Sequence, residues 1–144
     1  MNKKRINDWI LPAQKAIKDN KIPENGVVNK TYRGQISTFG AAVVMGSLKS
    51  AIAFFSDPNK ASVDRSKLIK VMYQLITEKE GRTPVINAEP KEIFQYVCGH
   101  DTFETEEMFT DASIAIKLAF NLFHLVDDPS KYKDGKLKEG QGED

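Results

Sequence analysis

Apolar residues along the chain recur three and four positions apart, which is the spacing of amphipathic helices. A first helix is predicted near the start of the chain, with Pro12 inside its pattern. Its apolar positions are Ile6, Trp9, Ile10, Ala13, Ala16 and Ile17. Residues 20–29 contain Pro23 and Gly26 and are predicted to form a loop.

The next segment, 36–55, is apolar over a length that exceeds most strands. It predicts one helix of about five turns. Lys49 is the only charged residue between Arg33 and Asp57, so this helix is expected to be buried or covered on most sides. Small residues four positions apart give it a second stripe, at which another backbone could come close. That stripe consists of Ala42, Gly46 and Ser50.

Three further helices are predicted in the second half of the chain. The first has its apolar positions between Leu68 and Ile76 and ends at Glu78 and Glu80. The second runs from Pro90 to about Val97, and the third from Thr105 to a stop at Asp127. Either Ser62 or Asp64 can cap the first of these, and Pro90 suits the first position of the second. No segment has a convincing strand pattern. The fold class is therefore an all-α, single-domain bundle of about five to six helices over residues 1–129. Residues 130–144 are polar and rich in Gly and Lys, and are predicted to be a disordered tail.

The cysteine content and the apolar segments indicate a cytoplasmic protein. Cys98 is the single cysteine, which excludes a disulfide framework and favours a reducing compartment. Segment 36–55 is long enough to span a bilayer, but Lys49 and four Ser/Thr residues within it would be costly there. No membrane partner is expected.

The net charge of +1 conceals two halves of opposite sign. Residues 1–70 hold 13 Lys/Arg and 5 Asp/Glu, or +8, whereas residues 71–128 hold 4 and 11, or −7. The last sixteen residues hold 4 of each, so the three parts sum to +1. One interpretation is that the halves simply attract each other. The other is a basic face for a polyanion and an acidic face for a basic protein.

Motifs of catalysis are absent from the sequence. It contains no glycine-rich phosphate loop, no Gly-x-Ser-x-Gly, no His-Glu-x-x-His and no Cys-x-x-Cys. Cys98, His100 and Asp101 could in principle form a nucleophilic or metal site, but a zinc site needs more ligands. We therefore expect no enzyme activity, cofactor, metal or small-molecule substrate. A small enzyme using these three residues is kept as a rival hypothesis.

Basic and aromatic residues stand together at the start of the long apolar segment. Lys30 and Arg33 flank Tyr32, and Lys49 lies within the segment. Such a combination suits phosphate contact and base stacking. The alternative is that Tyr32 packs in the core while Arg33 flanks the helix and Lys49 extends from it to solvent.

The same residues also carry a resemblance to a known family. The strings YRGQISTFGAAVV (32–44), GSL (46–48) and AIAFF (51–55) resemble the signature of the small subunit of type III-B CRISPR effector complexes, the Cmr small-subunit family. The likeness covers most of residues 1–80 in pattern and rests on helix order beyond them. It implies an all-helical, non-catalytic subunit of an antiviral ribonucleoprotein. Its partners would be other Cmr subunits, further copies of itself, guide RNA and target RNA.

The resulting hypothesis is an RNA-binding scaffold subunit. Lys30, Arg33 and Lys49 are predicted to contact phosphates, and Tyr32 to stack on a base or ribose. Further phosphate contacts are predicted from Lys15, Lys18, Arg65, Lys67 and Lys70. The alternative is a helical protein–protein adaptor that self-associates through its basic and acidic halves without binding nucleic acid.

Overall fold

The computed structural model describes residues 1–58 and 63–138, which form an all-α bundle with short strands at its edge. The helices are α1 Lys3–Asp19, α2 Thr31–Ile36, α3 Phe39–Met45, α4 Leu48–Phe55, α5 Ser66–Lys79, α6 Pro90–Gly99 and α7 Phe103–Phe120. The strands are β1 Val28–Asn29, β2 Leu125–Val126, β3 Tyr132–Lys133 and β4 Lys136–Leu137, with a 3₁₀ turn at Pro129–Lys131. The predicted fold class is confirmed. Among the described helices, none is both long and apolar enough to cross a bilayer.

Helix α1 forms where the apolar spacing predicts it. The Asn2 side chain accepts a hydrogen bond from the Arg5 amide at 3.0 Å and so caps the first turn. Pro12 lies inside the helix without ending it. The face buried against the bundle consists of Ile6, Trp9, Ala13, Ala16 and Ile17.

The predicted single helix over residues 36–55 is wrong, because this segment is divided among α2, α3 and α4. At the first break the Thr38 hydroxyl donates to the Gln35 carbonyl at 2.8 Å, competing with the helical backbone. At the second break Ser47 and Ser50 form a capping box that starts α4. Gly46 and Ser50 therefore end one helix and begin the next, instead of forming a packing stripe.

Helix α7 lies at the centre of the bundle and packs against α1, α2, α3 and α5. Its buried apolar residues include Phe109, Ile116 and Phe120. Phe39 and Phe55 meet edge to face in this core, with ring centroids 5.3 Å apart. Helix α5 begins at Ser66 with Arg65 at the N-cap position, one residue after the predicted cap Asp64. Asp64 still contributes, because its Oδ1 accepts from the Ser66 amide at 3.0 Å. The alternative cap, Ser62, lies outside the described residues.

The chain after α7 differs from the prediction. Helix α7 ends at Phe120, and β2 then pairs in parallel with β1, with Val28 opposite Leu125. Strands β3 and β4 form a hairpin. The predicted helical extension to residue 126 is therefore wrong, and so is the predicted disordered tail over residues 130–138. Residues 139–144, the rest of that predicted tail, lie outside the described residues.

Gly26, in the loop after α1, packs tightly against the turn of the β3–β4 hairpin. It has φ +80°, and a Cβ there would lie 2.4 Å from the Gly135 amide nitrogen. Gly26→Ala is expected to lower the free energy of unfolding by about 1–3 kcal/mol, because it combines backbone strain with a clash against backbone. Urea denaturation measures this loss. Gly34→Ala is the matched control, since a Cβ at Gly34 meets nothing within 4 Å. Equal losses in the two variants would contradict the described docking of the hairpin.

Candidate nucleic-acid interface

Three of the predicted phosphate-binding lysines belong to two helices that pack against each other: Lys18 is in the last turn of α1, and Lys67 and Lys70 are in the first turns of α5. We call Lys18, Lys21, Lys67 and Lys70 the α1–α5 basic cluster. The Lys67 ammonium donates to the Lys21 carbonyl at 2.8 Å, which joins the two helices. Lys70 donates to Asn87 Oδ1 at 2.8 Å, and the Asn87 amide donates to Asn20 Oδ1 at 2.9 Å. Lys70 is thus linked to the same end of α1.

The α1–α5 basic cluster keeps its positive charge. Within the described parts of the chain, no carboxylate lies within 4.0 Å of any of its four ammonium groups. The oxygens that Lys67 and Lys70 contact are neutral. Lys18 and Lys21 are exposed, and they lie at the helix end where the dipole favours cations. The cluster is therefore an unneutralised positive surface on two packed helices.

Lys15 lies one turn before this cluster but is paired. Its ammonium is 2.8 Å from Asp19 Oδ2. The Lys15 hydrogen bond holds the pKa of Asp19 below its usual value, against the opposing effect of burial, and Gln74 also donates to this carboxylate. Since the Lys15 side chain is exposed, the pair adds little stability, and Lys15 can exchange Asp19 for another anion.

The cations at the start of the apolar segment do not form one group with the cluster. Lys30 lies 2.6 Å from Asp127 Oδ1, and Arg33 donates to Asn121 Oδ1 at 2.9 Å, both beside the end of α7. Lys49 lies in a different place, 3.2 Å from Asp101 Oδ2.

Ion pairs between the basic and acidic halves support the interpretation that the two halves attract each other. Lys30 and Lys49 each pair with a carboxylate from residues 71–128, and Arg5 pairs with Asp111 at 2.8 Å. The first two pairs are exposed, whereas the Arg5–Asp111 pair is buried. Among Lys30, Arg33 and Lys49, Arg33 is the one without a carboxylate partner in the described structure.

Tyr32 belongs to the core, so its predicted stacking on an RNA base is wrong. Only 2% of the residue is exposed, and its ring stacks on Phe120 with centroids 6.4 Å apart. Burial, together with the nearby Asp64 carboxylate, raises the pKa of Tyr32 to about 12. The alternative stated for this residue, packing in the core, is the correct one.

Arg65 is also occupied within the protein. It is 9% exposed, its Nε donates to the Phe54 carbonyl at 3.2 Å, and its guanidinium lies 4.2 Å from the Phe54 ring centroid. This cation–π contact anchors α5 to α4. The prediction that Arg65 contacts phosphate is therefore wrong for this conformation.

The residues of the rival enzyme hypothesis have separate structural contacts. Asp101 pairs with Lys49, and the ring of His100 stacks on Tyr96 with centroids 4.1 Å apart. His100 Nδ1 lies 2.9 Å from the Tyr96 carbonyl, and Cys98 is exposed. In residues 1–58 and 63–138, no group of three His, Cys, Asp or Glu side chains is placed to hold a metal ion.

Comparison of the chain with protein-family models, with curated proteins and with solved structures finds no match.

Proposed function

We propose that the protein is a non-catalytic RNA-binding subunit of a cytoplasmic type III-B CRISPR ribonucleoprotein. It would lie beside the backbone subunits and further copies of itself, and contact guide and target RNA in antiviral defence. The observation that carries the RNA-binding part is the α1–α5 basic cluster. The resemblance of residues 32–55 to the Cmr small subunit supplies the rest of the proposal.

The cluster has the chemistry that a sugar–phosphate chain requires. Phosphate oxygens would replace the neutral acceptors of Lys67 and Lys70 with charge-assisted hydrogen bonds, which are the stronger kind. Lys18 and Lys21 stand free on the adjacent helix end. Each contact to a single strand releases counterions, so binding is expected to weaken steeply with salt.

The exposed cations outside the cluster would add phosphate contacts at two other places on the surface. Lys30 and Lys49 are held by exposed ion pairs, which are weak in water and can be exchanged for phosphate. Arg33 needs no such exchange, because its partner Asn121 is neutral. We assign these three residues a secondary role, since they lie in two separate places and two of them are neutralised.

Replacing three lysines of the cluster tests the proposal. Lys18→Gln, Lys67→Gln and Lys70→Gln, combined in the full chain, are expected to weaken binding of a fluorescent single-stranded RNA. Loss of three contacts lowers the slope of log affinity against log salt by about 2, at about 0.7 per contact. Fluorescence anisotropy at several salt concentrations measures both the affinity and the slope.

A matched variant separates local contact from net charge. Lys4→Gln, Lys79→Gln and Lys91→Gln remove the same charge from exposed positions outside the cluster. They are expected to leave the salt slope nearly unchanged. If both triple variants lose affinity equally, or if the natural chain binds no RNA, the cluster is not an RNA site.

The adaptor hypothesis is the second candidate, and a specific observation favours it. Val44 is 84% exposed and Met45 88% exposed at the end of α3, near Phe103, which is 79% exposed. Apolar side chains exposed together are typical of protein interfaces. Size-exclusion chromatography with light scattering after nuclease treatment distinguishes the candidates. Salt-sensitive self-association together with no RNA binding would favour the adaptor.

A further inference from the structure

A shallow cavity of about 190 Å³ lies between the end of α3, the start of α7 and the first residue of the chain. Its apolar wall includes Val44 and Phe103, and its acidic wall consists of Glu106, Glu107 and Asp111. Both apolar residues are largely exposed. The cavity therefore combines a mainly apolar lining with three carboxylate residues along one wall.

Asp111 is the most buried of these three residues, and only one of its two carboxylate oxygens accepts hydrogen bonds. The residue is 0% exposed. Its Oδ2 accepts three hydrogen bonds, from Arg5 Nη2 at 2.8 Å, Arg5 Nε at 3.1 Å and the Asn2 amide at 3.2 Å. Its Oδ1 is buried and has no hydrogen-bond partner in the described structure. A buried carboxylate oxygen without a donor is costly, and such an atom calls for an explanation.

The charges around the cavity do not balance. The cavity wall carries three carboxylates, but of the described cations only two pair with them, the Met1 ammonium and Arg5. The Met1 ammonium lies 3.1 Å from Glu107 Oε2, and Arg5 reaches both Glu107 and Asp111. Glu106 has no cationic partner among the described residues. One negative charge is thus left over at the cavity.

We propose that this cavity binds an arginine side chain of a partner protein. The aliphatic stem would lie against Val44 and Phe103, and the guanidinium would pair with Glu106 above the buried Asp111 carboxylate. An arginine suits the site because its planar head carries five donors, stacks on aromatic faces and is weakly hydrated. The small volume fits one side chain better than a helix. The site uses none of the lysines assigned to RNA, so it is independent of the proposed function.

Binding of short peptides to the full chain tests this site without RNA. The probes are acetyl-Gly-Arg-Gly-amide and its neutral isostere with citrulline in place of arginine. Nuclear magnetic resonance of the ¹⁵N-labelled protein is expected to show saturable shifts of the Phe103, Glu106 and Asp111 amides with the arginine peptide. The citrulline peptide is expected to give no saturable shifts. Equal binding of the two peptides, or no saturable shift with either, would overturn the proposal.

Two variants locate the binding within the cavity. Glu106→Gln removes the unpaired charge and is expected to weaken the arginine peptide about tenfold, as for loss of a hydrogen bond to a charged group. Glu104→Gln, two residues earlier on α7, removes the same charge from an exposed side chain that does not line the cavity. It is expected to leave binding unchanged. Equal weakening by both variants would show attraction to the acidic surface in general and refute a defined site.

Discussion

Replacing Arg5 by methionine is expected to lower the free energy of unfolding by about 3–5 kcal/mol, which is the usual cost of removing one partner of a buried ion pair. Asp111 is fully buried, and the Arg5 side chain is 9% exposed. The substitution keeps a flexible apolar stem beside Trp9, so most packing is retained. The large loss arises because the Asp111 carboxylate is left in the core without its cation.

Lys4 offers a control one residue away on the same helix. Its ammonium pairs with Asp8 at 2.8 Å, but both side chains are largely exposed. Lys4→Met therefore removes the same charge with little expected effect, since exposed pairs contribute little. Urea denaturation of both variants makes the comparison. A small effect of Arg5→Met, similar to that of Lys4→Met, would contradict the described burial of the pair. Adding Asp111→Leu to Arg5→Met is expected to recover part of the loss.

Tyr32→Ala is expected to be comparably destabilising, by about 3–5 kcal/mol, as for other large aromatic side chains removed from a core. The ring stacks on Phe120 and lies in the centre of the bundle. Tyr132→Ala, in the half-buried β3, is the control and is expected to cost far less. Thermal or urea unfolding gives both values. A small loss for Tyr32→Ala would place the ring at the surface, where it could stack on RNA.

Alkaline unfolding gives a second test of Tyr32. Its folded-state pKa of about 12 lies above the ordinary tyrosine value of 10.0, so the folded state holds the proton more tightly. The stability that this provides is present below pH 10 and is lost as the pH rises from 10 towards 12. Tyr32→Phe cannot ionise and is expected to lose less stability over that interval. Identical pH profiles for Tyr32→Phe and the natural chain would contradict the burial of the hydroxyl.

The sequence predicted the helices whose apolar spacing and end signals agree. Helix α1 has regular spacing, and α6 begins at Pro90 as predicted. The division of residues 36–55 could not be predicted from periodicity, because apolar spacing continues across both breaks. Side-chain hydrogen bonds of Thr38 and Ser47 end and start the helices there. The β1–β2 pairing joins Val28 to Leu125. A contact between residues so far apart in the chain cannot be predicted from the local sequence pattern.

The candidate site was predictable in composition but not in position. Charge alone indicated Lys18, Lys67 and Lys70, yet only the packing of α1 against α5 brings them together. Lys21 was missed as a site residue, although its place three residues after Lys18 at a helix end was a usable signal. Tyr32 was misassigned because burial depends on packing that spacing does not define.

Chemical acetylation of lysines tests the central claim most directly, since it locates contact with RNA residue by residue. The full-length protein is treated with an acetylating reagent with and without single-stranded RNA, and each site is quantified by mass spectrometry. We predict that RNA slows acetylation of Lys18, Lys21, Lys67 and Lys70 and leaves Lys4, Lys79 and Lys91 unchanged. Equal rates with and without RNA at the α1–α5 basic cluster, or equal protection of all these lysines, would contradict the account.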